Sequence, residues 1–226
     1  MSSALAVIGR SFRDWWDEMF LMVGANLLWA LLAIPVVTLF PATMGVYYLT
    51  YEKANGRRVE FDYFWQGFRE YFGKAWALGA INTVVTVLLV VNIMFYAQQP
   101  NVLFYLTIVW IYALILWAGV LIYIFPLALR QEEKRVTLIY RNAVLLAASR
   151  PLFTLVVVVM LLLLLAVSVV LSPLLILVYV PLSALICNHA LISAIEDVQR
   201  RQKELGQKKG KEKRPQGDGQ EGKGSG

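Results

Sequence analysis

Three long stretches of this 226-residue sequence contain no charged side chain. They cover residues 19–51, 75–129 and 151–195, and every Asp, Glu, Lys and Arg lies outside them. An uncharged apolar run of more than about 18 residues is the main sequence signal of a transmembrane helix, because the hydrocarbon core of a bilayer is roughly 30 Å thick. The pattern predicts an all-α fold, a polytopic helical membrane protein with five to six transmembrane segments and interfacial amphipathic helices.

Short polar or proline-containing sequences divide these runs into segments near span length. The sequence AQQPN at 97–101 separates two segments, and Ser172-Pro173 separates the last two. We therefore expect a helical membrane domain over residues 19–195, with segments at about 19–35, 41–54, 75–97, 102–129, 152–171 and 174–195.

The first run contains two prolines, and they determine how it can cross a bilayer. As one straight helix the run would be about 50 Å long, which exceeds the hydrocarbon thickness. Pro35 and Pro41 each remove a backbone donor and push the preceding residue out of helical geometry, so we expect a structural break within 34–41. We expect Thr38 to cap the next helix and Pro41 to occupy its first turn. We favour a hairpin that crosses twice or re-enters over a single tilted crossing.

Amphipathic stretches precede or separate the apolar runs. Residues 1–18 place apolar side chains at helical spacing between charged ones, and residues 61–72 place their aromatic rings on one face. Residues 136–145 repeat this pattern, so span, interfacial helix, span and span occur twice in order, as a weak internal repeat. We expect each stretch to form a helix at the membrane interface. No small-residue cleavage site follows residues 1–18, so we expect the first helix to be retained.

The last segment of the sequence, residues 196–226, changes character. It is rich in Lys, Gly, Gln and Glu and has no apolar pattern. Such a segment cannot bury enough surface to offset the entropy lost on ordering, so we expect a disordered basic tail. The tail is also a candidate contact for anionic lipid, because each basic residue near an anionic surface adds about 1 kcal/mol of attraction.

Composition supports the membrane assignment, and the basic residues indicate an orientation. Hydrophobic residues make up 59% and charged residues 16% of the chain, against roughly 45–50% and ~25% in soluble domains. The 21 Lys and Arg residues fall in 1–18, 52–74, 130–150 and the tail. Short loops rich in Lys and Arg stay cytoplasmic, so we expect a multi-pass protein of the cell membrane with a cytoplasmic C-terminus. A hairpin in the first run would make the N-terminus cytoplasmic too.

Several sequence segments carry a family resemblance. The segment NLLWALLAIPVVTLFPATMGVYYLTYEKANGR, followed by FWQGFREYFGKAW and NAVLLAASRPLFTL, resembles the YesL-like family of bacterial integral membrane proteins of unknown function. The resemblance covers about residues 20–195. It implies glycine at the position of Phe40, and it implies an association with carbohydrate uptake and utilisation systems.

Side chains that could carry chemistry are few. His189 is the only histidine and lies in the sequence ICNHA beside Cys187, the only cysteine. Zinc sites need three or four ligands, and neither a second histidine nor an acid is near in sequence, so we predict no metal, cofactor or catalytic residue. Asn26, Asn82 and Asn92 lie within spans, where such groups form interhelical hydrogen bonds or, alternatively, contact a solute. His189 allows the same two interpretations.

Two functions of different class fit these patterns, and an enzyme fits less well. The first is an accessory or scaffold protein of a membrane complex, since spans without charges offer no recognisable reaction path. The second is a sugar or polyol transporter or channel, since broken helices often line solute sites. The tryptophans suited to stacking on a sugar are Trp29, Trp76, Trp110 and Trp117. The expected partners are the lipid bilayer and another membrane protein, and we expect no nucleic acid.

Overall fold

All regular structure in the described part of the chain is helical. A computed structural model describes residues 4–131, 135–171 and 178–212. The α-helices in these residues are α1 (Ala4–Asp17), α2 (Met19–Ala33), α3 (Leu39–Ala54), α4 (Phe61–Glu70), α5 (Phe72–Ala97), α6 (Leu106–Arg130), α7 (Val136–Ser149), α8 (Pro151–Val170) and α9 (Val180–Glu212). Short 3-10 helices lie at Val36–Thr38 and Asn101–Tyr105. The predicted all-α fold is confirmed for these residues.

Three helical stretches are long and apolar enough to cross a membrane. They are Phe72–Ala97, Leu103–Arg130 and Pro151–Val170, with mean hydropathies of 2.2, 2.4 and 3.2. The number of candidate spans rises to four if α1 and α2, which are bent by 91° relative to each other, are counted together as one span. The described residues therefore contain three to four candidate spans. The prediction of five to six also counted both arms of the hairpin and the last helix.

The first apolar run folds back on itself. Helix α2 ends at Ala33, a 3-10 turn follows, and α3 begins at Leu39. The carboxylate of Glu18, before α2, lies 3.1 Å from Lys53 Nζ, near the end of α3. With 15 and 16 residues, the arms are each about 23 Å long, shorter than the roughly 30 Å hydrocarbon core. Both ends of the run thus lie at the same end of the bundle, which excludes one straight helix over 19–51.

At the break, Thr38 does not cap α3 as predicted, whereas Pro41 lies in the first turn of α3 as predicted. Thr38 makes no side-chain capping bond to α3, and its hydroxyl donates instead to the carbonyl oxygen of Leu32 in α2. An N-cap residue is normally extended, whereas Thr38 has helical backbone angles, so its side chain does not reach the next turn. Pro35 precedes the 3-10 turn, and Pro41 is the third residue of α3. An amide at that position has no acceptor within the helix, so the proline costs no bond.

Phe40 occupies a slot that a glycine leaves open. Its ring meets Trp76 edge-on, with 5.0 Å between ring centroids. It also fills the space that a Cβ atom on Gly79 of α5 would require. The missing side chain on α5 therefore accommodates the bulky residue, and the hairpin forms with Phe40 in place.

Helix α4 packs closely on α3 through two glycines. A Cβ on Gly45 would lie 2.8 Å from the backbone oxygen of Phe64, and a Cβ on Gly67 would overlap Tyr48. This approach buries Phe64 completely, while Trp65 stays exposed. The aromatic stretch 61–72, predicted to lie at the interface, is therefore partly a core element. The prediction of an interfacial helix was based on the spacing of the aromatic rings alone. It did not take into account Gly45 of α3, which lets Phe64 pack against that helix.

The bundle is packed at one end and open at the other. All buried residues of α5 lie in 75–82, and those of α6 lie in 119–129 except Thr107. Most of residues 83–97 of α5 and most of 106–118 of α6 expose their apolar side chains. The charged ends meet at the packed end, where Lys74 Nζ donates to the carbonyl oxygen of Ala128 at 2.6 Å. The spans therefore leave apolar surface for lipid or a partner to cover.

Helix α9 is the central helix of the packed end. Its first half is largely buried and contacts α1, α2, α3, α6 and α8. Asn188 is fully buried, and its amide donates to the carbonyl oxygen of Tyr47 at 3.2 Å and to Thr50 Oγ1 at 3.0 Å. Protein groups thus accept the hydrogen bonds of the Asn188 amide nitrogen, which lets this helix be less apolar than a lipid-facing span.

The length of α9 differs from the prediction of a disordered tail beginning at residue 196. The helix continues to Glu212, and Asp197 is buried against Arg150 at 2.9 Å between Oδ2 and Nη2. An established helix extends at little cost because nucleation is already complete. The prediction considered only the composition of the segment and not the helix that enters it. Residues 213–226 of the predicted tail lie outside the described residues.

The Arg150–Asp197 ion pair joins the α7–α8 junction to α9. The two side chains are only 7% and 8% exposed. The guanidinium also lies over the ring of Phe153, with its Cζ 4.3 Å from the ring centroid. Both charges are withdrawn from water, so removing either side chain would take a buried counter-charge from the other.

We expect Gly67→Ala to lower the free energy of unfolding in detergent. The added methyl group would collide with Tyr48, and forcing extra atoms into a packed contact costs about 1–3 kcal/mol. Thermal unfolding in mild detergent measures the loss. The control is Gly73→Ala on the exposed first turn of α5, where a Cβ meets nothing within 4 Å and stability should be unchanged or slightly raised. Equal stability of the two variants would show that the close approach of α3 and α4 is dispensable.

We expect Asp197→Asn to be strongly destabilising. Removing one partner of a buried ion pair leaves the other charge uncompensated, which costs about 3–5 kcal/mol. The double variant Arg150→Met/Asp197→Leu should recover much of this loss, because neither charge is then buried. Glu196→Gln, an exposed carboxylate on the same helix, is the control and should unfold like the native protein. A similar unfolding midpoint for Asp197→Asn and Glu196→Gln would contradict the expectation.

Candidate functional site

A cleft opens at the packed end, where α1, the α3–α4 connection and α9 meet. Its volume is about 430 Å³, and residues from all three elements line it. Its basic side chains are Arg10, Arg13, Lys53, Arg57 and Arg58, and its acidic ones are Asp14 and Glu196. His189 completes the polar lining. We refer to this site as the basic cleft.

The end of α3 projects two of these arginines into the cleft. Gly56 has φ of +79°, a left-handed conformation that glycine adopts without strain. The amide of Gly56 donates to the Lys53 carbonyl oxygen at 2.8 Å, and the amide of Arg57 donates to the Glu52 carbonyl oxygen at 3.1 Å. This bond pattern is a Schellman motif, which ends the helix and turns the chain sharply. Arg57 and Arg58 therefore follow directly at the mouth of the cleft.

The basic groups of the cleft are only partly neutralised. Lys53 pairs with Glu18 at 3.1 Å, and Arg57 pairs with Glu52 at 2.8 Å. Within the described ranges, Arg10, Arg13 and Arg58 form no ion pair, and all three side chains are exposed. Three guanidinium groups thus remain for an external anion.

His189 pairs with Asp14 across the cleft. The distance between Nε2 and Oδ2 is 2.7 Å, and the side chains are 11% and 19% exposed. A carboxylate only accepts hydrogen bonds, so Nε2 is the nitrogen that carries the proton. The pair attaches α1 to α9 and fixes one wall of the cleft. Sequence inspection found no acid near His189 because this partner lies 175 positions away.

The three asparagines selected from the sequence lie away from the cleft. Asn82 accepts a bond from the Tyr140 hydroxyl at 2.6 Å, and burial raises the pKa of Tyr140 to about 12, so the phenol stays protonated. Asn92 Nδ2 donates to the Leu88 carbonyl oxygen at 2.7 Å in its own helix. A short polar side chain can satisfy itself on the preceding turn, so this bond is not the expected interhelical contact. Asn26 is fully buried in α2.

The helix break lies at the tip of the hairpin, far from its charged ends, and its backbone groups are in use. The indole Nε1 of Trp76 donates to the Val37 carbonyl oxygen at 2.8 Å, and Thr38 bonds the Leu32 carbonyl oxygen. Pro35 and Pro41 flank these bonds. Two carbonyls that the broken helix could offer to a solute, those of Leu32 and Val37, are therefore engaged by protein groups.

Other tryptophans considered for sugar binding also have internal partners. Trp29 Nε1 donates to Thr43 Oγ1 at 3.0 Å, and Trp117 Nε1 donates to Thr86 Oγ1 at 3.1 Å. Trp110 stacks on Tyr96, with 6.3 Å between ring centroids. These rings tie helices together, in keeping with the usual requirement that a buried indole N–H finds an acceptor.

Metal-ligating side chains do not cluster in the part of the chain that the structure describes. No group of three or more His, Cys, Asp or Glu residues there is arranged to hold a metal ion. Cys187, two positions before His189 in the sequence, is buried. The nearest approach to a chemical site is the His189–Asp14 pair inside the basic cleft.

Comparison with known proteins gives a partial match. Residues 22–93 match the model of a family described as a protein of unknown function, DUF624. The match covers less than half of the chain and includes the α2–α3 hairpin, α4 and most of α5. No curated protein and no solved structure matches the sequence. The match thus links the hairpin region to an uncharacterised family, and the elements α1 and α9, which complete the basic cleft, lie outside it.

Proposed function

We propose that this protein is an accessory or scaffold component of a membrane complex, with no catalytic activity of its own. The observation that carries the proposal is that polar groups at the helix break and on α5 have hydrogen-bond partners inside the protein. The side-chain oxygen of Asn82 accepts from Tyr140, the Trp76 indole donates to the Val37 carbonyl oxygen, and Thr38 donates to the Leu32 carbonyl oxygen. What the bundle offers to its surroundings is apolar surface within the bilayer and charged surface at one end.

The apolar surface for a partner lies on the outer halves of α5, α6 and α8. Val91 of α5 and Leu163 of α8 are each 54% exposed, and Tyr112 of α6 is 63% exposed. Lipid covers such surface in an isolated protein, whereas a partner helix gains van der Waals packing on the same surface. The partner we propose is a membrane component of a carbohydrate uptake system, and this identity rests on the YesL-like resemblance.

The second candidate is a small-solute transporter or channel for a sugar or polyol. Its support is the broken helix between α2 and α3, since such breaks often lie at solute sites. The bonds made by Trp76 and Thr38 favour a structural role for the break. Time-dependent uptake of a labelled sugar by vesicles containing the purified protein, absent from empty vesicles, would favour transport over the accessory function.

The proposed setting is the cell membrane, with the packed end in the cytoplasm. Lys53, Arg57 and Arg58 lie at this end, as do the last turns of α9, and basic loops are retained on the cytoplasmic side. Because the hairpin returns the chain, both termini lie on that side in this proposal. The basic tail would then face the anionic lipids of the inner leaflet.

Photocrosslinking in living cells tests the accessory function. A photoreactive amino acid at Val91 or at Leu163 should capture the same membrane protein, because both positions face outward on the open half. The control is Ile124, which is fully buried in α6 and should give no intermolecular adduct. The captured protein should also co-purify with the native chain in mild detergent. Lipid adducts alone, or different abundant proteins at the two positions, would contradict the proposal.

Single-cysteine labelling tests the orientation. In a Cys187→Ser background, Gln98→Cys should react with an impermeant maleimide on intact cells. Asp17→Cys and Gln202→Cys should react only after permeabilisation, because the hairpin and α9 return both regions to the cytoplasmic side. All three positions are exposed. Labelling of Asp17→Cys on intact cells would show that the first run crosses the membrane once.

A further inference from the structure

We propose that the basic cleft binds a phosphate-bearing anion at the membrane surface. This inference does not depend on the accessory function, because it rests on other residues. The shared chemistry is a phosphate monoester or diester, supplied either by a lipid headgroup or by a soluble phosphorylated compound.

The free guanidinium groups are the first support. Arg10 and Arg13 come from α1, and Arg58 comes from the α3–α4 connection, so two separate elements converge on one cleft. None of the three forms an ion pair within the residues described. Guanidinium presents a planar set of donors that matches phosphate oxygens two at a time. Three such groups around one cavity can hold a single phosphate from several sides.

The rigidity of the cleft is the second support. The His189–Asp14 bond holds α1 against α9, and the Lys53–Glu18 pair holds the start of α2 against the end of α3. The Schellman turn at Gly56 fixes the position from which Arg58 extends. A site built on fixed elements loses less conformational entropy when it binds a ligand.

The size and charge of the cleft restrict the ligand. A volume of about 430 Å³ lies in the range of small-molecule sites. Asp14 and Glu196 also line the cleft, and Glu18 and Glu52 neutralise two of its basic residues. An extended polyanion such as nucleic acid would meet these carboxylates, whereas one phosphate group can sit among the three arginines.

The neighbouring aromatic residues indicate the depth of the cleft in the membrane. Phe12 and Trp16 of α1 are exposed and stack on each other, with 6.3 Å between ring centroids. Phe20, at the start of α2, is 88% exposed. Exposed aromatic rings settle at the headgroup level of a bilayer. The cleft is therefore within reach of both lipid headgroups and cytoplasmic solutes.

The test measures binding to the full chain with two kinds of probe. In detergent without anionic lipid, inorganic phosphate and glycerol 3-phosphate are titrated against intrinsic tryptophan fluorescence. In nanodiscs, phosphatidic acid or phosphatidylglycerol is supplied in a phosphatidylcholine background, and bound lipid is counted by native mass spectrometry. Binding of the soluble probes identifies a soluble source, and retention of anionic lipid that these probes do not displace identifies a headgroup.

The decisive variant is Arg10→Gln/Arg13→Gln/Arg58→Gln. It should weaken binding of whichever probe the native protein binds by about tenfold or more, because charge-assisted bonds to phosphate are lost. The matched control, Arg69→Gln/Arg141→Gln/Arg200→Gln, removes the same charge from exposed positions outside the cleft and should change affinity by less than about twofold.

Three results would overturn the proposal. They are no binding of either kind of probe by the native protein, equal weakening by both triple variants, and native affinity in the cleft variant. Thermal unfolding establishes that each variant is folded. If the cleft variant does not fold, the single substitutions Arg13→Gln and Arg58→Gln replace it, and each should weaken binding severalfold relative to Arg141→Gln.

Discussion

The reversal of the chain between α2 and α3 is the constraint on which the packed end depends. The two prolines prevent a single straight helix, and the fold-back brings Glu18 to Lys53. In this arrangement α1 contacts both α3 and α9, and Asp14 reaches His189 in α9. The contacts that organise the charged end thus follow from a break at the opposite end of the hairpin.

The sequence predicted the features that depend on local composition. A bilayer requires long uncharged helices whatever their neighbours, so the segments 75–97, 102–129 and 152–171 could be located from the absence of charge alone. The break within 34–41 followed from the geometry of proline, which is equally local. These features need no knowledge of which helix packs against which.

The features that sequence reasoning missed depend on contacts between distant parts of the chain. Nothing near His189 indicates Asp14, and nothing near Asp197 indicates Arg150. The segment after residue 196 has the composition of a disordered tail, yet the buried ion pair fixes its first turn. The basic cleft was missed for the same reason, because its arginines come from stretches that are separate in sequence and unremarkable one by one.

The seating of Phe40 on Gly79 links two positions that lie on different helices. Close packing at this contact constrains the combined volume of the side chains at positions 40 and 79, and it does not require a particular residue at either position. A chain with the same hairpin but glycine at position 40 would leave a void there, unless position 79 carried a larger residue. The two sites are therefore expected to vary together among relatives, as a volume exchange between α3 and α5.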